Sequence, residues 1–132
     1  MDSSVKVMIV DDEQDFLYAM GYWLKSKGYN VTTLISVREA IDLIKASPPD
    51  IVFLDIRMPV MDGIEALKTI REFNKDIPVI MITAFADDRK VLELEKYGIS
   101  GCFSKDKDFS EGAAMIETVL RLHKGLKKQE EK

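Results

Sequence analysis

Three aspartates, a threonine and a lysine stand directly after runs of mostly apolar residues in this 132-residue chain. Asp11-Asp12 follows Val7-Met8-Ile9-Val10, and Asp55 follows Ile51-Val52-Phe53-Leu54. Thr83 follows Val79-Ile80-Met81-Ile82, and Lys105 follows Gly101-Cys102-Phe103-Ser104. Carboxylates gathered within a few ångströms repel, and without a counterion at least one pKa rises. Mg²⁺ relieves this, since it takes octahedral oxygen ligands, commonly one or two carboxylates, and leaves places for water and phosphate oxygens. An ammonium such as that of Lys105 offers a point charge to a phosphoryl oxygen. The hydroxyl of Thr83 offers one donor to another. An aspartate carboxylate can act as a nucleophile and carry the group as an aspartyl-phosphate. Phosphoryl transfer asks mainly for positioning and charge neutralisation, and these residue types supply both.

That chemistry requires the runs to end side by side. Ile51 to Leu54 lies between Pro48-Pro49 and Met58-Pro59, and two of its four residues are β-branched. Such a run reads as a strand buried on both faces of a parallel sheet. In open α/β sheets ligands bind just beyond the carboxyl ends of the strands, so an acid there is a candidate site residue.

Strand and helix alternate along the chain. Val5–Val10 is the first predicted strand. Phe16, Leu17, Met20, Trp23 and Leu24 then recur at helical spacing until Gly28, which stops the helix. Val31–Ile35 makes a second strand. Ser36-Val37-Arg38-Glu39 has the form of a capping box, opening a helix with Val37, Ala40, Ile41 and Ile44 inward. Asp62 is placed to cap a third helix. Pro78–Thr83 is the fourth strand, and a fourth helix is expected from Asp87-Asp88 to Gly98. Gly101–Ser104 is a short fifth strand, and a fifth helix runs from about Ser110 to Lys124. Residues 5–124 make one domain, with 125–132 as a charged tail or linker stump.

Five βα units imply a doubly wound parallel sheet with helices on both faces. The five candidate site residues then fall on one rim, where strand order reverses.

Composition removes several classes. A net charge of -4 leaves no basic footprint, so no direct nucleic-acid partner is expected. One cysteine, Cys102, excludes an internal disulfide framework and suits a reducing compartment. The first ten residues are neither a signal peptide nor a membrane span, so a cytoplasmic location without membrane contact is expected. No Gly-x-x-x-x-Gly-Lys occurs, which excludes a P-loop switch. His123 reads as a solvated histidine, Trp23 as core, and Cys102 as a small buried hydrophobe.

The sequence resembles response-regulator receiver domains of two-component signalling. The matching pieces are Val10-Asp11-Asp12-Glu13, Asp55-x-x-Met58-Pro59-x-Met61-Asp62-Gly63, Thr83-Ala84 and Lys105. The resemblance implies a flavodoxin-like (βα)5 sheet in the order 2-1-3-4-5. It implies Asp55 as acceptor of a phosphoryl group from a cognate histidine kinase or phosphotransfer protein. It further implies Mg²⁺ held by Asp11, Asp12, Asp55 and the backbone carbonyl of Arg57, with Thr83 and Lys105 contacting the phosphoryl group. Such a domain promotes its own phosphoryl transfer and slow hydrolysis but is not a turnover enzyme.

Three positions depart from the family's habit. Asp106 stands where a proline preceded by a cis bond is usual, and a trans bond is expected here. Cys102 occupies the usual aromatic position, so a small side chain must follow Thr83, or the signal must run through Phe103 or the loop at Asp106. Arg57 and Phe85 fill the two variable positions that tune phosphoryl lifetime, and both are bulky enough to slow hydrolysis.

On the last helix, Ala113, Ile116 and Leu120 share a core-facing side at 100° per residue. Met115, Val119, Leu122 and Leu126 form a second stripe. That stripe is read either as the edge of a wide core face or as part of a docking surface for an effector or a homodimer. The docking surface would span the fourth-helix to fifth-helix face. Two other classes share part of this pattern. A haloacid-dehalogenase-type hydrolase wants a second aspartate two residues after the first, where this chain has Arg57. A pseudo-receiver, which signals by binding without phosphorylation, remains the alternative.

Overall fold

Each apolar run becomes a strand because its two faces are both covered. In the computed structural model, which describes residues 4–58, 61–84 and 94–131 (side chains through 123), the strands are five. They are β1 (Lys6–Val10), β2 (Asn30–Leu34), β3 (Ile51–Asp55), β4 (Val79–Thr83) and β5 (Gly101–Ser104). All pair in parallel, in the order β2-β1-β3-β4-β5 that was expected. Four α-helices accompany them: α1 (Gln14–Ser26), α2 (Val37–Ala46), α3 (Gly63–Phe73) and α4 (Phe109–Glu131). The helix expected from Asp87 lies outside the described residues, except for its end. There a 3₁₀ turn (Glu95–Tyr97) closes at Gly98, in the left-handed region at φ 75°.

The strands' period of two sorts the core into two layers. Met8, Val10, Val52, Leu54, Val79 and Met81 face α2 and α3. Val7, Ile9, Ile51, Phe53, Ile80 and Ile82 face α1 and α4. The α2 reading holds residue by residue: Val37, Ala40, Ile41 and Ile44 are buried, and Ser36 Oγ accepts the Glu39 N–H. Each buried valine or isoleucine there contributes about 1.5–3 kcal/mol. Asp62 likewise accepts the Glu65 N–H at 3.0 Å at the head of α3.

Differences from the sequence reading lie at the edges. Trp23 is half-buried at the α1/α4 seam, where the Lys27 ammonium lies 5.2 Å from the ring centroid. His123 is half-buried rather than solvated, because it lines a hollow beside Pro49, Pro78 and Leu120. Cys102 is only half-buried, since β5 is an edge strand. α4 runs on past the expected end near Lys124 to Glu131. Ile116 is fully buried, with Ala113 and Leu120 packed on the same layer as expected, but Met115 and Val119 pack there too. The core face is therefore wide, and Leu122, 63% exposed, is what remains outside it; the Leu126 side chain lies outside the described residues.

Arg71 ties α3 to the approach of β5. Its guanidinium donates to the carbonyls of Tyr97 (2.8 Å), Asn74 (3.1 Å) and Gly98 (2.8 Å). Hydrogen bonds from a charged donor contribute about 1.5–3 kcal/mol each at best, less where water competes. Arg71→Ala should lower the unfolding free energy in urea by roughly 2–3 kcal/mol. Arg71→Lys should recover little, because an ammonium lacks the fork that reaches three carbonyls. Equal stability of all three proteins would remove this tie from the account.

Candidate functional site

Register brings the candidate residues together. Val10 pairs with Leu54, Asp55 with Ile82, and Thr83 with Ser104. Asp11, Asp55, Thr83 and Lys105 therefore end four neighbouring strands on one rim, Asp11 level with Asp55 and then Thr83 and Lys105 each one residue further out. The Lys105 N–H donates to the Thr83 carbonyl at 2.9 Å, extending the ladder one residue beyond the strands. Asp11, Asp55 and Thr83 are buried, and Asp12 is exposed.

Oxygens of Asp11, Asp12 and Asp55 lie within 4.8 Å of one another, the one such acidic cluster among the described residues. Asp12 and Asp55 border a cavity of about 210 Å³ that Glu13, Arg57, Thr83 and Lys105 also line. A larger hollow of about 450 Å³ sits at the opposite end of β3 and β4, near Pro48 and Pro78. It has no comparable cluster of acids, and the chemistry belongs at the carboxyl rim.

The local chain explains why the acids stay put. Asp11 Oδ1 accepts the Glu13 N–H at 2.9 Å, and Asp55 Oδ1 accepts the Arg57 N–H at 3.1 Å. Both are two-residue turns closed by an aspartate on its own backbone. Gly63 lets α3 press onto the end of β3: a Cβ there would stand 2.4 Å from the Asp55 carbonyl oxygen. Only glycine fits that approach.

Charge is unbalanced. Burial and the neighbouring Asp11 charge push the Asp55 carboxyl up to about 7, against the smaller opposing pulls of the Arg57 N–H and Lys105. Lys105 Nζ lies 2.9 Å from Asp11 Oδ2, 2.6 Å from Glu13 Oε1 and 3.7 Å from Asp55 Oδ2. Burial works against its charge, yet Glu13 and Asp11 outweigh burial and hold its pKa above the ordinary lysine value. Asp11 Oδ2 meets that ammonium as an ion pair but has no hydrogen-bond partner, although it is buried. A raised acid and three clustered carboxylates fit a hard divalent cation with oxygen ligands.

The sequence gives Glu13 no role beyond its place in the Val10-Asp11-Asp12-Glu13 motif and reads Phe16 as core of the first helix. Glu13 is the nearest acid to Lys105, and the Phe16 ring centroid lies 5.0 Å from its ammonium. Their position, just after the acid pair and in the first turn of α1, was the available signal. The Lys105–Asp106 peptide bond is trans, and Ser104 Oγ donates to the Asp106 carboxylate. Cys102 pairs with Met81 and so shares the Thr83 face of the sheet. Phe103 points to the other layer, edge-on to Phe53 at 6.3 Å. The aromatic neighbour is thus on the wrong side to follow Thr83. Phe85 lies outside the described residues.

Residues 7–117 match the sequence profile of the response regulator receiver domain. The chain is 33% identical over 117 residues to the alkaline phosphatase synthesis transcriptional regulatory protein PhoP of Bacillus subtilis, covering 88% of this chain and 48% of that one. It is 32% identical to the transcriptional regulatory protein ZraR of Escherichia coli, covering 89% of this chain and 26% of the relative. The chain thus spans about half or less of these curated relatives. Among solved structures, the chemotaxis response regulator CheY4 of Vibrio cholerae superposes with a TM-score of 0.82 at 28% identity, over 89% of this chain and 99% of that one. A CheY-like receiver domain protein from Methanospirillum hungatei gives 0.87 at 22% identity, over 93% and 98%, a likeness of fold. With the profile matched across nearly the whole sheet and the acids, threonine and lysine on its carboxyl rim, the chain belongs to the response regulator receiver domain family.

Proposed function

We propose that Asp55 accepts a phosphoryl group from a histidine kinase or phosphotransfer protein, and that the bound group switches a protein-interaction surface. The observation that carries this is the placement of Asp55: buried, 3.7 Å from the Lys105 ammonium, and clustered with Asp11 and Asp12 beside an open cavity. The carboxylates of Asp11, Asp12 and Asp55 and the backbone carbonyl of Arg57 would hold Mg²⁺. Bound there, the cation supplies positive charge against the acids and the incoming phosphoryl oxygens.

The chain's own residues do the rest. An Asp55 carboxylate oxygen forms the bond to phosphorus; the bond from phosphorus to the donor nitrogen breaks, and its electron pair returns to the donor imidazole. Lys105 neutralises one phosphoryl oxygen and Thr83 donates its hydroxyl to another. Water later cleaves the acyl phosphate, so the domain resets itself without turning over a metabolite. Thr83 and Cys102 share the sheet face on which Leu94 is also buried, so movement of Thr83 is relayed past a small side chain toward β5 and residues 94–98. The output surface, for an effector or a second copy, includes α4, with the exposed Leu122 on its rim. The reaction takes place in the cytoplasm; no described helix is long and apolar enough to cross a membrane.

Intact mass after incubation with acetyl phosphate tests this reading. One phosphoryl group should appear on the wild type with Mg²⁺, and none on Asp55→Asn or on the wild type in EDTA. No label under any condition would instead favour a pseudo-receiver that signals by binding alone.

A further inference from the structure

The Lys105 ammonium does not sit closest to the proposed acceptor. It lies 2.6 Å from Glu13 Oε1, 2.9 Å from the metal-site acid Asp11 and 3.7 Å from Asp55 Oδ2. The Phe16 ring takes another side of the ammonium, 5.0 Å from its centroid, and is itself braced edge-on by Phe109 at 6.1 Å. The Glu13 side chain is 62% exposed, so it holds Lys105 from the solvent side. A phosphoryl oxygen on Asp55 needs the ammonium at about 2.7–2.9 Å. An ammonium already shared by Glu13 and Asp11 offers a smaller part of its charge to such an oxygen.

We propose that Glu13 and Phe16 form a parking site that holds the Lys105 ammonium back from Asp55 until a phosphoryl group draws it across. They are positioning residues, acting through Lys105 and not on the phosphoryl group. The inference rests on the reading of Asp55 as acceptor. It adds that the first turn of α1 sets how readily the acceptor is engaged: a carboxylate at 13 opposes the phosphorylated state by competing for its cation. A cation facing a ring is stabilised modestly, so Phe16 is the weaker of the two holds.

Beryllofluoride, a mimic of the phosphoryl group, tests this in saturating Mg²⁺. Glu13→Gln should bind it about 3–10-fold more tightly than wild type, and Phe16→Leu about 2-fold more tightly. In a Lys105→Met background the gain from Glu13→Gln should vanish, since the cycle isolates what passes through the lysine. An equal gain in both backgrounds would mean that Glu13 acts by bulk charge, and would overturn the proposal. Proton spectra give a second reading that needs no variant. The Lys105 ε-methylene protons should be shifted upfield by the Phe16 ring in the free protein and move downfield when beryllofluoride binds. Ordinary shifts in the free protein, or shifts that do not move on binding, would also overturn it. If wild type does not bind beryllofluoride at all, the acceptor reading falls with it. If wild type binds and Glu13→Gln binds no better, only the parking site falls.

Discussion

In EDTA at pH 8, Asp55→Asn should be more stable than the wild type by about 2–4 kcal/mol, and the gap should close as the pH falls to 4. Burial and Asp11 raise the folded-state pKa of Asp55 from 3.8 to about 7. The folded protein therefore holds this proton more tightly than the unfolded chain. Between pH 4 and 7 the unfolded state binds fewer protons, so stability falls as pH rises. The whole penalty is in place above the folded pKa and absent below the unfolded one. Its ceiling is about 4 kcal/mol, from 1.36 kcal/mol per unit. Asparagine stays neutral throughout and keeps an oxygen for the Arg57 N–H that Asp55 Oδ1 now accepts. Urea unfolding across this pH range measures the gap. A variant less stable than wild type at pH 8 would mean that attraction to Lys105 outweighs burial and repulsion, contrary to the charge balance described.

Lys105→Met should have two effects of different size. At pH 8 without divalent cation it should lower stability by roughly 2–4 kcal/mol, because it strands Asp11, which is completely buried and ion-paired to the ammonium at 2.9 Å. Mg²⁺ should restore part of that loss, since it offers the same carboxylates another positive charge. Labelling by acetyl phosphate in saturating Mg²⁺ should be about 10²–10³-fold slower, the range for losing one fixed group aimed at developing charge. Methionine keeps an apolar stem beside Phe16, so the change is mainly one of charge. If the variant takes up label at the wild-type rate, Lys105 has no part in the transfer.

The sheet was legible because its signals are local. Ile51–Leu54 is too apolar for anything but a strand covered on both sides, and an acid after such a run marks the carboxyl rim. Ser36 and Asp62 cap as their neighbours dictate, and α2 turns inward the four residues its period selects. Strand order came from the resemblance, and register then brought the acids, Thr83 and Lys105 to one rim. What escaped the sequence is contact between distant side chains with no period to announce it. The Arg71 fork on the turn after residue 94 and the Glu13 and Phe16 holds on Lys105 are of this kind. Edges misled for a related reason. Residues such as Trp23 and Val119 sit where a core face gives way to solvent, and periodicity gives the direction of a side chain but not the depth of its cover.

The central claim is that Asp55, and not its acidic neighbours, takes the phosphoryl group. Borohydride reduces an acyl phosphate to the alcohol, so a labelled aspartate becomes homoserine and keeps a permanent mark. The wild type is incubated with acetyl phosphate and Mg²⁺, reduced, digested and sequenced by mass spectrometry. The account predicts homoserine at position 55 alone, with unmodified aspartate at 11 and 12. Homoserine at Asp11 or Asp12, or reduced protein with Asp55 intact, would contradict it.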